Sequence, residues 1–176
     1  MITENEIKNE EIRDAAQKML VAARTAPKGR GVDNLMVAIA EKDDIQLISD
    51  KMKEIGVRSG AAFFLRDADN ILLAPYMLLL AARISPMNLP DCGLCGFENC
   101  IEKNNFPQTP CVINITDLGI AIGSAVSVAA DHRVDNRVMF TVGIAVKELG
   151  LLGPESAVIY GIPLSASSKN PFFDRK

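Results

Sequence analysis

Cys92, Cys95, Cys100 and Cys111 are the only cysteines in the chain, and their spacing is C-x2-C-x4-C-x10-C. Thiolates held this close repel one another until a cation joins them, so the run reads as the ligand set of a metal centre. An iron–sulfur cluster needs four thiolates at the corners of a cage, and a C-x2-C pair in a tight turn supplies two adjacent corners. Gly93 and Gly96 permit that turn, and Leu94, Phe97 and Phe106 are at hand to shield a cluster from water. Zinc asks for the same four donors in a tetrahedron. Zinc sites more often pair two C-x2-C knuckles, whereas this chain has one pair. A [4Fe–4S] cluster is therefore favoured, with zinc as the alternative and a redox dithiol or unmetallated thiols behind it.

Other reactive side chains are sparse. His132, the one histidine, sits in Ala-Asp-His-Arg at a helix end, where the dipole favours a capping role over catalysis. It leaves no Ser-His-Asp or Cys-His pairing to defend. Asp43 and Asp44 read as helix-start carboxylates, and Asp131, Arg133, Asp135 and Arg137 as an exposed charged turn. Met36, Met52, Met77, Met87 and Met139 are scattered, as core fillers are. Gly29-x-Gly31 follows a helix and lacks a third glycine, so it is no dinucleotide fingerprint.

The 176 residues suffice for one domain with a sizeable core. A net charge of −3 argues against a nucleic-acid surface, which needs clustered Lys and Arg. The acidic start Met1–Glu10 has no basic n-region or apolar h-region, so no signal peptide is expected. Cysteines this few in a chain this long are no disulfide scaffold. Ile71–Ile84 contains Pro75 and is too short to cross a membrane, and Val112–Ala130 carries Asn114 and Asp117 near its start. The expectation is a soluble, cytoplasmic protein.

The elements that must position the cysteines follow from periodicity. Asn5–Thr25 predicts a helix with Ile7, Ile12, Ala15, Met19, Ala22 and Ala23 on one side, ended by Pro27 and Gly29. Leu35–Ala40 is a continuous apolar run, expected as a strand covered on both faces. Helices are expected over Asp43–Gly56 and Ser59–Leu73, then a strand over Met77–Ile84. Pro86, Pro90, Pro107 and Pro110 break all periodicity from Ser85 to Pro110, which reads as an insert organised by something other than a core. Thr116 or Asp117 is expected to cap a long helix reaching Asp131, with Gly119, Gly123 and Ser127 stepping along one flat face. A helix over Val138–Leu149, a strand over Ser156–Ile162 and a polar tail from Ser165 outside the core complete the chain.

Cys92–Cys100 with Cys111 resembles the ferredoxin-type domain of a group of uncharacterised prokaryotic proteins whose chain otherwise resembles the flavin-binding nitroreductase fold. Ala23-Arg24-Thr25-Ala26-Pro27-Lys28-Gly29 is similar to the Ala-Arg-x-Ala-Pro-Ser segment that nitroreductases place beside the flavin ring. Asp117-Leu118-Gly119-Ile120-Ala121 resembles the opening of their central dimer helix. Gly161-Ile162-Pro163 and the tail to Lys176 resemble their Gly-Tyr-Pro strand end and basic C-terminus. Their Arg-Arg-Ser-x-Arg-x-Phe start, which holds the flavin phosphate, has no counterpart here, and Lys28-Gly29-Arg30-Gly31 replaces their Ser-Ala-Gly-Asn.

The resemblance implies an α/β (α+β) fold: a single nitroreductase-like domain over 1–176, a three-layer sandwich with the ferredoxin-type insert at 85–111. It implies a redox protein with a [4Fe–4S] cluster on Cys92, Cys95, Cys100 and Cys111 and, as a second cofactor, FMN. Arg24, Pro27, Lys28, Gly29, Arg30, Lys169 and Arg175 would then be the flavin contacts, the plain alternative for the cations being a solvated surface. It further implies a homodimer through the Gly119–Gly123–Ser127 face and a redox partner protein. The competing reading is a non-enzymatic module whose insert is braced by structural zinc.

Overall fold

The run Tyr76–Arg83 decides the architecture. Met77, Leu79 and Ala81 belong to one core, Leu78, Leu80 and Ala82 to the other, and all six are buried. A strand apolar on both faces has to be covered on both, each buried aliphatic side chain contributing roughly 1.5–3 kcal/mol. The computed structural model of the chain describes residues 1–173. In it this strand, β2, lies inside a four-stranded antiparallel sheet with Leu35–Ala40 (β1), Asp135–Asn136 (β3) and Ser156–Ser165 (β4), in the order β1-β2-β4-β3.

Helices α1 (Glu4–Thr25) and α5 (Val112–Asp131) cover one face of the sheet. Helices α2 (Lys42–Ser59), α3 (Ala62–Ile71) and α6 (Phe140–Leu149) cover the other, while α4 (Cys100–Asn104) lies in the insert. The expected three layers are thus present. Small side chains let α1 and α5 approach closely: Ala15, Ala16 and Ala23 on α1 share a core with Ala121, Ala125 and Ala129 on α5. By length and composition α5 could cross a membrane; here it forms half of a layer.

Strand β1 packs on both faces, Leu35 in one core and Ala40 in the other, although it lies at the sheet edge with only those terminal residues buried. Four expectations need correction. The helix expected from Ser59 begins at Ala62, since Gly60 ends α2 in the left-handed conformation (φ 70°). Helix α5 starts at Val112 rather than at Thr116 or Asp117, with Cys111 at its N-cap. The tail returns to the core, where Phe172 is fully buried. Arg137 is no exposed turn residue: it donates to Asp67 Oδ1 at 3.3 Å and to the Phe172 carbonyl at 2.8 Å.

That last pair is part of a polar hub. Asp67, 3% exposed, also accepts Arg66 Nε at 2.9 Å and the Thr141 hydroxyl at 3.0 Å, so its burial is compensated from three sides. The hub ties α3, α6 and the chain's end together. His132 stands at the C-cap of α5, as its sequence context suggests.

Candidate metal centre

Both ends of the insert are fastened at the start of α5. Asn114, fully buried one turn into the helix, donates to the Ser85 carbonyl at 2.5 Å and to the Arg83 carbonyl at 3.3 Å. Its own carbonyl oxygen accepts Asn34 Nδ2 at 3.3 Å, and Asn34 also reaches Met87 Sδ at 3.7 Å. Arg30 holds the Met87 carbonyl at 3.3 Å. Cys111 precedes Asn114 by one helical step and is buried, so the fourth cysteine sits on the body of the protein.

Beyond that joint the insert has little of its own to hold it. Between Ser85 and Pro110 only Met87 and Lys103 are buried. Turns run from Pro90 to Asn99, with Gly96 at φ 88°, a conformation glycine adopts without penalty. Asn99 then caps α4, its side-chain oxygen accepting the Ile101 and Glu102 amides at 2.9 and 3.0 Å. Phe97 and Phe106 stack with ring centroids 5.1 Å apart. Leu94, expected to shield a cluster, is 70% exposed.

All four cysteines are free thiols; Cys92, Cys95 and Cys100 are half-buried and Cys111 is buried. Among the described residues no three His, Cys, Asp or Glu side chains are gathered closely enough to hold a metal ion. The donor set nevertheless fits a tetrathiolate centre in kind and number, and it lies in a segment with almost no apolar core. Metal binding and ligand gathering are commonly one event, because thiolates without a cation have reason to stay apart.

The expected flavin contacts come out differently. Arg24 is paired with Asp33 and also donates to the Leu35 carbonyl at 3.0 Å. Burial pulls the Asp33 carboxyl up, but the hydrogen-bonded Arg24 guanidinium and the Leu35 amide more than offset it, so Asp33 titrates below the usual carboxylate range. Lys28 caps the end of α1, donating to the Arg24 and Ala26 carbonyls at 2.6 and 2.8 Å. The Gly29 amide donates to both oxygens of Asp117 at 3.0 Å, and Asp117 is 5% exposed. Pro27 is exposed just past α1, and Lys169 lies in the final loop, its carbonyl accepting the Ser167 hydroxyl at 2.6 Å. Arg175 lies outside the described residues.

Arg24, Lys28, Gly29 and Arg30 are therefore neighbours, and each has a partner within the chain. A flavin phosphate here would have to take cations from Asp33 and from the carbonyls of Leu35, Arg24, Ala26 and Met87, beside the Asp117 carboxylate. As they stand, these residues do not fit it.

Sequence reasoning missed Lys103, Asn114 and the Asp67 hub. Asn114 had a signal: an amide inside an otherwise apolar helix is there to satisfy something. Asp67 and Arg137 are 70 positions apart and offered none.

A family model described as "Uncharacterized protein containing a ferredoxin domain (DUF2148)" matches residues 108–175, which include Cys111. An uncharacterised protein of Archaeoglobus fulgidus is 37% identical over 182 aligned positions, covering 99% of this chain and 97% of that protein. Among solved structures, the nitroreductase CinD of Lactococcus lactis in complex with nicotinic acid superposes with a TM-score of 0.63 at 13% identity, over 91% of this chain and 79% of that one. A nitroreductase with bound FMN from Desulfitobacterium hafniense DCB-2 gives 0.61 at 13%, over 89% and 78%. A BluB-like flavoprotein from Clostridium difficile 630 gives 0.60 at 20%, over 89% and 81%. The fold is nitroreductase-like.

Proposed function

Because this chain belongs to the family of uncharacterised proteins containing a ferredoxin domain, we propose that it is a cytoplasmic redox protein carrying a [4Fe–4S] cluster on Cys92, Cys95, Cys100 and Cys111. One observation carries the reading: four free thiols occupy a segment whose only buried residues are Met87, Lys103 and the fourth cysteine itself. Burial does not explain that segment's sequence, and a shared metal does. When bound, the cluster supplies one-electron chemistry. The chain's own part is to fix Cys111 on α5, to anchor Ser85 beside it through Asn114, and to brace the segment between them with the Phe97–Phe106 stack.

A second reading adds FMN and makes the protein a reductase. The observation favouring it is the fold, shared with a nitroreductase that carries bound FMN. The internal pairing of Arg24, Lys28 and Arg30 counts against it, so the cluster, as carrier of electrons to a partner protein, comes first.

The same reading makes the protein a homodimer through α5. Gly119, Gly123 and Ser127 are exposed on it, and a Cβ added to either glycine would meet nothing within 4 Å. Ile120 adds an exposed apolar side chain to this outward face. The helix's internal packing uses Leu118, Ala121, Ala125 and Ala129 instead, leaving the flat face for a second copy.

Anaerobic purification followed by metal and sulfide analysis tests the proposal. Iron with acid-labile sulfide and a broad brown absorbance is the expected result, lost when any of the four cysteines is changed to serine. A structured yellow spectrum released on denaturation would add the flavin. Colourless protein with one zinc per chain would end the redox reading.

A further inference from the structure

Lys103 is 2% exposed, which makes it the largest enclosed side chain of the insert. An ammonium drawn out of water costs free energy unless an anion or several acceptors replace the lost solvent. The insert's own acids do not serve. Glu102 accepts the Glu98 amide at 2.6 Å, Asp91 and Glu98 are exposed, and among the described residues the Lys103 ammonium has no hydrogen-bond or ion-pair partner. No fully enclosed side-chain nitrogen among the described residues lacks a partner, so the stem is covered while the charge itself reaches the rim of the insert.

Its backbone is well placed. The Lys103 amide donates to the Asn99 carbonyl at 3.1 Å, and its carbonyl accepts the Phe106 amide at 2.9 Å. Cys100 opens the same short helix three positions earlier, a spacing that puts two side chains on one helix face. Four thiolates around Zn²⁺ carry a net charge of −2, and so do four around a [4Fe–4S]²⁺ core. A fixed positive charge next to either one stabilises it.

We propose that Lys103 is the counter-cation of the cysteine centre: its ammonium, held in α4 beside Cys100, offsets part of the negative charge that four metal-bound thiolates bring to this half-buried segment. Lys103 is thus a positioning and charge-balancing residue rather than a ligand. The inference rests on the metal reading above, and it holds for iron and for zinc alike.

The test uses the full chain purified without air, as wild type, Lys103→Met and Lys103→Arg. Met keeps the length and apolar stem without the charge; Arg keeps the charge and alters the shape. Wild-type metal content judges the metal reading by itself, and a wild type that binds neither iron nor zinc overturns both. With metal present, Lys103→Met is expected to release it to a chelator about tenfold faster or more, the order expected of a lost neighbouring charge, and Lys103→Arg to stay near wild type. Where the centre is an iron–sulfur cluster, the midpoint potential of Lys103→Met shifts negative, because reduction adds charge that the lysine no longer balances, and Lys103→Arg restores it. A Met variant with wild-type release and potential overturns the proposal. So does loss of metal in both variants, which would make the shape of the side chain decisive rather than its charge.

Discussion

Strand β2 buries six of its eight residues in two cores, while the segment following it buries, between Ser85 and Pro110, one methionine and one lysine. The two regions adjoin in sequence and are held by different forces. In the body, apolar area removed from water does the work, and polar groups enter only when satisfied on every side, as Asp67 is. In the insert, side-chain amides (Asn99 within it, Asn114 at its joint with α5) shape the backbone, and few apolar contacts add to them. Fold and cysteines are thereby separated: the sheet and its helices have two cores of their own, and the cysteine segment has almost none.

Changes on either side of this divide should differ in size. The largest effect is expected from Asp67→Ala, which leaves Arg66, Arg137 and Thr141 without their buried acceptor and should cost about 3–5 kcal/mol. Chemical denaturation would show it as a lowered midpoint, and an unchanged midpoint would mean the hub does not fasten the chain's end. Asn114→Ala cuts the joint between the regions and should cost about 1–3 kcal/mol. Limited proteolysis should then cut within 85–110 while α1 and β2 stay intact; cleavage spread evenly along the chain would mean that the two regions are not held separately.

Arg24→Ala is a smaller change, about 0.2–1 kcal/mol at neutral pH, since the ion pair is partly solvated. Asp33 has a folded pKa below its unfolded one, so the pair's contribution is present above the ordinary carboxylate range and lost as the pH falls through the folded value. Melting temperatures of wild type and variant should converge in acid; a gap that persists there would assign the stability to the Leu35 carbonyl contact instead. Smallest of all for the fold is Gly123→Leu. It faces open space, so the subunit should keep its stability or gain slightly from helix propensity. If two copies meet through α5 as proposed, light scattering should show this variant as a monomer, and a wild-type monomer at micromolar concentration would remove α5 from consideration as an interface.

How much of this could be read from the sequence differs between the same two regions. The continuous apolar strand near Met77 and the periodic helices over Glu4–Thr25 and Lys42–Ser59 were legible, because apolar pattern and burial coincide there. The start of α5 was misplaced because Thr116 and Asp117 have the residue types of caps; Asp117 faces inward to the Gly29 amide instead. In the insert the cysteines announced themselves by type and spacing. Lys103 did not, since a lysine between Glu102 and Asn104 looks like any solvated residue until its exposure is known. The flavin contacts were read from order along the chain, which carries no information on partners: Arg24 and Asp33 are nine residues apart and meet only once α1 and β1 are packed.

The Asn114 joint has a consequence for how such a chain can change over time. Because one amide gathers the strand end at Arg83–Ser85 to within a helical turn of Cys111, the looped-out stretch leaves and re-enters the body at nearly one point. Lengthening or shortening a loop whose ends are already pinned alters its closure entropy only logarithmically. A change in the length of the thiol-bearing stretch should therefore leave the sheet beneath it nearly undisturbed.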